Sequence, residues 1–186
     1  MNVFLVHGSY GKPFENWFPW LEKKLTEKNI NCVIPSFPTP AHQNYNDWSK
    51  LLDYYVDMNI INNDTIIIGH SCGAICATRY ICDKSINVKA LITVSGYNNY
   101  VGNDAHIDGL NSTFYCDDVF LKSITKFANS RLSFISNNDP FISNEALTNF
   151  SRVINSKLVV INGAGHFNET AGYTEFQKIL DYINSI

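Results

Sequence analysis

Short apolar runs alternate with longer amphipathic stretches along the whole chain. Runs of Val, Ile, Leu and Phe that are nearly continuous predict parallel strands covered on both faces; they occupy residues 3–6, 32–34, 65–68, 90–94, 132–135 and 158–161. The amphipathic stretches carry apolar residues at helical spacing and occupy residues 15–28, 46–58, 72–83, 117–129, 144–155 and 174–186. This alternation predicts an α/β fold with a six-stranded, parallel, doubly wound sheet and helices on both faces.

The length and composition of the chain predict a single domain. It has 186 residues, of which 45% are hydrophobic and 17% are charged, as in an ordinary globular protein. The one long stretch without clear periodicity, residues 96–116, is rich in Asn, Asp, Gly and Tyr. It follows the end of a strand, where ligands bind in open α/β sheets, and we interpret it as an irregular cap or rim over a site.

Charge and cysteine usage narrow the range of partners and compartments. Fourteen Lys and Arg against seventeen Asp and Glu give a net charge of −3 without a basic run, so we expect neither nucleic acid nor a membrane as a partner. The apolar run at residues 3–6 is too short for a signal peptide or a membrane span. Five scattered cysteines without CxxC spacing favour reduced thiols and a cytoplasmic location; they are Cys32, Cys72, Cys76, Cys82 and Cys116.

The strongest chemical motif is G-x-S-x-G, formed by residues 69–73. It lies between a β-branched strand and a helix of small residues, the context of a nucleophile elbow. There Ser71 would project its hydroxyl above the sheet, and Gly69 and Gly73 would let the strand and the helix approach each other. A turn that merely packs a helix on a sheet is the alternative, but such a turn requires no hydroxyl.

A serine nucleophile needs a base and an orienting carboxylate. Asp139 follows the strand at residues 132–135, and His166 follows the one at residues 158–161. Taken alone, Asp139 is better read as an Asp-Pro turn residue, and a lone loop histidine is usually solvated. Together they stand at strand ends and in the order Ser, Asp, His that this architecture requires, so we predict a catalytic triad.

Two backbone N–H groups are predicted to bind the oxyanion, those of Ser9 and Cys72. Ser9 follows the first strand, and Cys72 begins the helix after the nucleophile, where the helix dipole is positive. His7 is expected to hydrogen-bond to the backbone and shape the turn. His106, in the irregular segment, is kept as a candidate substrate contact, whereas His42 lies in a loop that precedes the nucleophile.

A metal site is the alternative use of the residues around the elbow. Cys72 and Cys76 are four residues apart on one helix, and His70 is near them in the sequence. A second ligand pair at zinc-like spacing is missing, and a cysteine behind a buried strand behaves as a small core residue. Core packing is therefore the stronger interpretation, and we expect neither a metal nor an organic cofactor.

These motifs resemble the retinoblastoma-binding-protein-type (YdeN-like) serine hydrolases of the α/β-hydrolase superfamily. The resemblance covers nearly the whole chain and is carried by residues 7–8, 65–75, 94–97, 139–141 and 165–167. It implies a compact α/β-hydrolase without a leading hairpin and without most of a lid, and it implies the same Ser, Asp and His assignments. It also implies ester or peptide-like hydrolysis, whereas a retinoblastoma-type partner rests on no motif in this chain.

The chain departs from that pattern after His7-Gly8, where relatives often carry a run of glycines. Here Ser9-Tyr10-Gly11 follows, and Tyr10 is expected to narrow the acyl pocket. The leading hypothesis is a serine hydrolase that acts through an acyl-enzyme on small carboxylic esters or compact amides. An acyltransferase or thioesterase with the same triad, and a non-catalytic binding protein on this fold, remain alternatives. A protein partner is left open.

Overall fold

The computed structural model describes residues 1–102 and 104–186. Six strands form one parallel sheet in the order β2-β1-β3-β4-β5-β6. The strands are β1 (Asn2–Val6), β2 (Asn31–Val33), β3 (Thr65–His70), β4 (Val88–Val94), β5 (Ala128–Ser136) and β6 (Lys157–Ile161). The helices are α1 (Phe18–Thr26), α2 (Tyr45–Asp57), α3 (Cys72–Lys84), α4 (Ala105–Asn111), α5 (Asp118–Leu121), α6 (Asn144–Val153) and α7 (Gln177–Ser185). The predicted six-stranded parallel sheet is confirmed.

The strand order reverses at β1. The chain goes outward from β1 to β2 and then returns to β3 on the opposite side of β1. Val6 at the end of β1 is in register with Gly69 near the end of β3. Ligands in open α/β sheets bind at such a switch point, outside the carboxyl ends of the strands. The turns after β1 and β3 therefore occupy the position where a site is expected.

Two apolar cores cover the two faces of the sheet, because successive strand residues point to opposite sides. On one face Val3 and Leu5 belong to the same buried cluster as Leu21 of α1 and Ile179 of α7. On the other face the alternate residues of β1 pack with α2, α3 and α6. The prediction of helices on both faces is confirmed.

The two edge strands differ from the prediction that every strand is covered on both faces. On β6 the side chains of Leu158 and Val160 are 37% and 53% exposed, and no residue of β2 is fully buried. Each edge strand has a neighbour on one side only, so the helical layers cover it incompletely.

The helix predicted at residues 117–129 is wrong. Asp117 caps the single turn of α5, a 3-10 helix covers Lys122–Lys126, and β5 then begins at Ala128. Ala128 is in parallel register with Val88 of β4. Pairing with β4 therefore takes the end of the predicted helix into the sheet, which shows tertiary context overriding a local pattern.

The segment 96–116 is more regular than the sequence indicated. It contains α4 and the 3-10 helix Ser112–Phe114, while residue 103 within it lies outside the described residues. Asp104 caps the first turn of α4 through its side chain. In the part of the chain that the structure describes, every helix is too short or too polar to cross a lipid bilayer.

Candidate active site

Ser71 lies between β3 and α3 in a backbone conformation that non-glycine residues rarely adopt. Its φ and ψ are 56° and −125°, and its N–H donates to the carbonyl of Val94 at 2.8 Å. Strain of this kind persists only where the surrounding structure enforces it. The elbow predicted from G-x-S-x-G is therefore present in geometry, with the serine at the amino-terminal end of α3.

The two elbow glycines allow backbones to approach closely. A Cβ atom on Gly73 would lie 2.2 Å from the carbonyl oxygen of Val6, and one on Gly69 would lie 2.4 Å from the Cα of Ala74. Both obstacles are backbone atoms that cannot move aside. Any side chain at these positions would push α3 away from the sheet and displace Ser71.

The side chains of Asp139 and His166 form a direct pair. His166 Nδ1 lies 2.8 Å from Asp139 Oδ2, and the carboxylate is fully buried. Asp139 also accepts hydrogen bonds from the hydroxyl of Ser95 and from the N–H groups of Phe141 and Ile142. Burial alone would raise the pKa of Asp139, but the hydrogen bonds from His166, Phe141 and Ser95 hold it below its ordinary value. The carboxylate is thus ionised at neutral pH.

This pairing defines the tautomer of His166. Because Nδ1–H donates to the carboxylate, Nε2 is left as the basic nitrogen. His166 and Ser71 line the same cleft. Within the described residues their side chains make no direct hydrogen bond, and nucleophile–base hydrogen bonds are often long before substrate binds.

The loop before His166 is held by three side chains that the sequence analysis missed. Ser136, Asn137 and Asn138 accept hydrogen bonds, of 2.9 to 3.0 Å, from the successive N–H groups of residues 163–165. With Asp139, four consecutive residues at the end of β5 bind four consecutive residues of the histidine loop. The run Ser-Asn-Asn-Asp at a strand end was the available signal.

The opposite side of the same loop is held by two aromatic side chains. His70 Nε2 lies 2.8 Å from the carbonyl oxygen of His166, and Trp17 Nε1 donates to the carbonyl of Phe167 at 3.1 Å. Burial, and after it the charge that His166 can carry, lowers the pKa of His70 to about 3. His70 is therefore neutral and donates Nε2–H to the His166 carbonyl.

His7 shapes the turn after β1 through backbone contacts, as expected. Its Nε2 accepts from the N–H of Phe37 at 3.0 Å, so Nδ1–H donates to the carbonyl of Gly8 at 2.8 Å. Burial lowers the pKa of His7, although the hydrogen bond to Gly8 opposes this. The neutral ring therefore links the turn to the loop that follows β2.

The two predicted oxyanion donors belong to the turn after β1 and to the start of α3. Ser9 lines the cleft beside Ser71, whereas Cys72 is fully buried at the first position of α3. Among the hydrogen bonds of the described residues, the N–H groups of Ser9 and Cys72 donate to no protein acceptor. Gly8 adjoins Ser71, since a Cβ there would lie 2.8 Å from Ser71 Cβ.

The cleft above these residues has a volume of about 690 Å³. Its walls combine apolar side chains with a few carboxylates and amides, among them Val101, Ile107, Phe141, Ile142, Glu15 and Glu169. Tyr10 lines the cleft as expected. His106 does not line the cleft, and its Nε2 lies 2.6 Å from the hydroxyl of Tyr10, so the structure does not support it as a substrate contact.

The remaining candidate residues have ordinary surroundings. Cys72 and Cys76, both on α3, are fully buried in the apolar core, and the described residues contain no group of three metal-binding side chains. His42 is exposed and lies 3.4 Å from Asp47.

Similar chains are found among curated proteins and solved structures. The sequence is 23% identical to YdeN of Bacillus subtilis (strain 168), named as a candidate hydrolase, over 98% of this chain and 94% of YdeN. It is 26% identical to the serine hydrolase RBBP9 of Rattus norvegicus, over 91% of this chain and 86% of RBBP9.

The solved structures show the same fold. The crystal structure of YdeN superposes with a TM-score of 0.85, at 23% identity, and covers 99% of this chain and 97% of YdeN. A mutant of the meta-cleavage product hydrolase CumD from Pseudomonas fluorescens IP01 superposes with a TM-score of 0.70, at 12% identity, and covers 100% and 91% of the two chains. The family model described as "Serine hydrolase" matches residues 3–185. Because this match extends over nearly the whole sequence, the chain belongs to the serine hydrolase family and is a hydrolase with the α/β-hydrolase fold.

Proposed function

We propose that Ser71, His166 and Asp139 form the catalytic triad of an acyl-enzyme hydrolase for small carboxylic esters or compact amides. The observation that carries this proposal is the 2.8 Å contact between His166 Nδ1 and Asp139 Oδ2 beside a serine at a strained elbow in the same cleft. This arrangement leaves His166 Nε2 available as the base for the Ser71 hydroxyl.

The reaction divides into two halves. Ser71 Oγ attacks the carbonyl carbon while its proton passes to His166 Nε2, and the imidazolium then gives that proton to the leaving alcohol or amine. Water next attacks the ester of Ser71, with Nε2 taking a proton from the water and returning it to Ser71 Oγ as the acid departs. Asp139 holds the tautomer of His166 and stabilises the imidazolium in both halves.

The carbonyl oxygen becomes negatively charged at each attack. The N–H groups of Ser9 and Cys72 are the proposed donors, since neither has a protein acceptor among the described hydrogen bonds. The amino-terminal end of α3 adds a positive dipole at Cys72. The loss of one such donor raises the barrier by about 3 kcal/mol in comparable enzymes.

The cleft supports a compact substrate. Val101, Ile107, Phe141 and Ile142 supply apolar surface for the acyl group, and Tyr10, which also lines the cleft, narrows it. In this proposal residues 1–186 form one domain, with residues 96–116 as the rim of the cleft. The five cysteine thiols fit a reducing compartment, and we place the enzyme in the cytoplasm.

A fluorophosphonate probe tests the proposal, because it reacts only with an activated serine. We expect one equivalent of label on Ser71, no label in Ser71→Ala, and full labelling in the control Ser185→Ala, whose hydroxyl lies at the exposed end of α7. If the folded wild type stays unlabelled, the proposed acyl-enzyme activity is wrong and the alternative of a non-catalytic binding protein is favoured.

A substrate panel then tests the reaction class. We expect p-nitrophenyl esters of short acids to be hydrolysed faster than acyl-CoA thioesters, because the carboxylates of Glu15, Asp104 and Glu169 line the cleft and would repel the phosphates of coenzyme A. A clear preference for acyl-CoA would replace esterase action with the thioesterase or acyltransferase alternative.

A further inference from the structure

A fully buried amide that the triad does not use lies at the end of α4. Asn111 is 0% exposed and makes three hydrogen bonds to other parts of the chain. Its Oδ1 accepts from the Ser9 hydroxyl at 2.7 Å and from Gln43 Nε2 at 2.7 Å, and its Nδ2 donates to the hydroxyl of Tyr97 at 2.8 Å. Asn111 therefore joins the loops on both sides of Ser71.

Gln43 holds the same turn through two successive residues. Its Nε2 also donates to the Ser9 hydroxyl at 2.8 Å. Its Oε1 accepts from the hydroxyl of Thr39, which in turn accepts from the N–H of Tyr10 at 2.8 Å. Side-chain hydrogen bonds thus hold Ser9 by its hydroxyl and Tyr10 by its backbone.

Within the turn, the carbonyl of Gly8 accepts hydrogen bonds from the Gly11 N–H at 3.1 Å and from His7 Nδ1–H at 2.8 Å, but neither bond involves Ser9. Gly8 and Gly11 flank it and supply no side chain for packing, and the φ of Tyr10 is 58°, which is a strained value for this residue. The Ser9 N–H must nevertheless stay within about 0.5 Å of its productive position to stabilise an oxyanion. The hydrogen bonds to Asn111 and Gln43 are the side-chain contacts that act on Ser9 itself.

A purely structural role explains the cluster less well. Buried polar side chains carry a desolvation cost, and replacing a whole hydrogen-bonded group by apolar residues of the same shape is often nearly neutral. Here the polar groups converge on Ser9, which lines the cleft and whose N–H donates to no protein acceptor among the described hydrogen bonds.

We propose that Asn111 is a positioning residue for the oxyanion hole, acting through the hydroxyl of Ser9. This inference rests on the proposed function, because the oxyanion hole matters only if Ser71 attacks a carbonyl. It assigns a role to the rim segment: Ile107 lines the cleft one helical turn before Asn111, so α4 contributes both to the acyl site and to the placement of the oxyanion donor.

Kinetics of Asn111→Ala provide the test, with p-nitrophenyl acetate as substrate and a trifluoromethyl ketone as the transition-state analogue. We expect kcat to fall by about 10- to 100-fold while KM changes by less than about threefold. The fall in kcat should be smaller than that caused by complete loss of an oxyanion donor, because the Ser9 N–H is displaced but still present. The inhibition constant of the ketone should rise by a similar factor, because its oxyanion occupies the same hole.

Asp108→Ala is the matched control on the same helix. Asp108 accepts hydrogen bonds from the N–H groups of Val101 and Gly102. Removing its carboxylate therefore loosens the rim but leaves the hydrogen bonds of Ser9 in place. This variant should lower the melting temperature but leave kcat and ketone binding within about threefold of wild type. Equal kinetic losses in Asp108→Ala and Asn111→Ala would overturn the proposal, because a loosened rim would then explain both.

Two further measurements keep the test decisive. If Asn111→Ala does not fold, Ser9→Ala removes the same hydrogen bond and keeps the backbone N–H, and an unchanged kcat in Ser9→Ala would overturn the inference. Fluorophosphonate labelling separates failure of the proposed function from failure of the role given to Asn111. If the wild type is not labelled, the proposed function is wrong. If wild type and folded Asn111→Ala are labelled at the same rate, only the role of Asn111 is wrong.

Discussion

His70 Nε2 lies 2.8 Å from the backbone carbonyl oxygen of His166, so the residue before the nucleophile holds the residue proposed as the base. The two are 96 positions apart in the chain. His70 is neutral, and its ring is enclosed by the edges and faces of Trp17 and Phe18. A rigid, uncharged donor therefore keeps the histidine loop next to the elbow.

Acid should destabilise the fold through this buried histidine. The folded-state pKa of His70 is about 3, whereas an unfolded histidine has its ordinary value near 6.5. The contribution of neutral His70 to the free energy of unfolding is complete above pH 6.5. It is lost as the pH falls, because the unfolded chain then binds a proton that the folded chain does not. The loss is about 1.4 kcal/mol per pH unit, and His7 acts in the same direction.

Urea unfolding at pH 7 and pH 5 measures this effect. His70→Gln should reduce the difference between the two pH values, while His42→Gln, at an exposed position, should leave it unchanged. A wild type whose unfolding free energy is equal at both pH values would show that His70 is not held neutral.

Substitution of Asp139, the proposed triad carboxylate, should lower turnover with little effect on substrate binding. In Asp139→Asn we expect kcat to fall by about 10⁴-fold, because His166 would then adopt the wrong tautomer. His166→Ala should abolish turnover and keep the melting temperature nearly unchanged. Steady-state kinetics and thermal unfolding check both. Survival of activity in Asp139→Asn would require tests of Asp104, Asp117 and Asp118, beginning with Asp104, which lines the cleft.

The asparagine that holds the histidine loop should affect rate more than binding. Asn138→Ala removes the acceptor of the Gly165 N–H, and we expect kcat to fall about tenfold, equivalent to about 1.4 kcal/mol of barrier. Hydrogen exchange at Gly165 should become faster. Asn129→Ala, on the exposed start of β5, is the control. Unchanged exchange and kcat in Asn138→Ala would show that the loop is held by other contacts.

Alanine at Gly73 should prevent folding. Its Cβ would lie 2.2 Å from the backbone oxygen of Val6, and no side-chain rotation can relieve that contact. Gly109→Ala is a matched control on α4, because its Cβ would meet nothing within 4 Å; it should stabilise the protein by roughly 0.5–1 kcal/mol. Soluble expression and thermal unfolding distinguish the two. A folded Gly73→Ala of normal stability would contradict the close packing at the elbow.

The fold could be predicted from the sequence because buried parallel strands are nearly continuous apolar runs. Thr65–His70 is entirely buried, and its Ile-Ile-Ile core is plain in the sequence. The pattern failed at residues 117–129, where non-local pairing with β4 decides the structure. It also missed α4 between residues 96 and 116, because the side chains that this short helix buries, Asp108 and Asn111, are polar and form no apolar stripe.

The site was predictable where each residue stands at a strand end. Ser71 and His166 line one cleft, and Asp139 contacts His166, as expected from the ends of β3, β5 and β6. The supporting residues were not predictable: Asn138 and Asn111 resemble ordinary turn and helix-end residues. Their importance depends on contacts across 27 and 102 positions, which local patterns do not contain.

Mass spectrometry of the protein mixed rapidly with p-nitrophenyl acetate tests the central claim most directly. We predict a burst of about one equivalent of p-nitrophenol per chain and an acetyl group on Ser71, identified by fragmentation of the peptide that also contains Cys72. Asp139→Asn should slow the formation of this adduct. An acetyl group on Cys72, or turnover without any adduct on Ser71, would contradict the account.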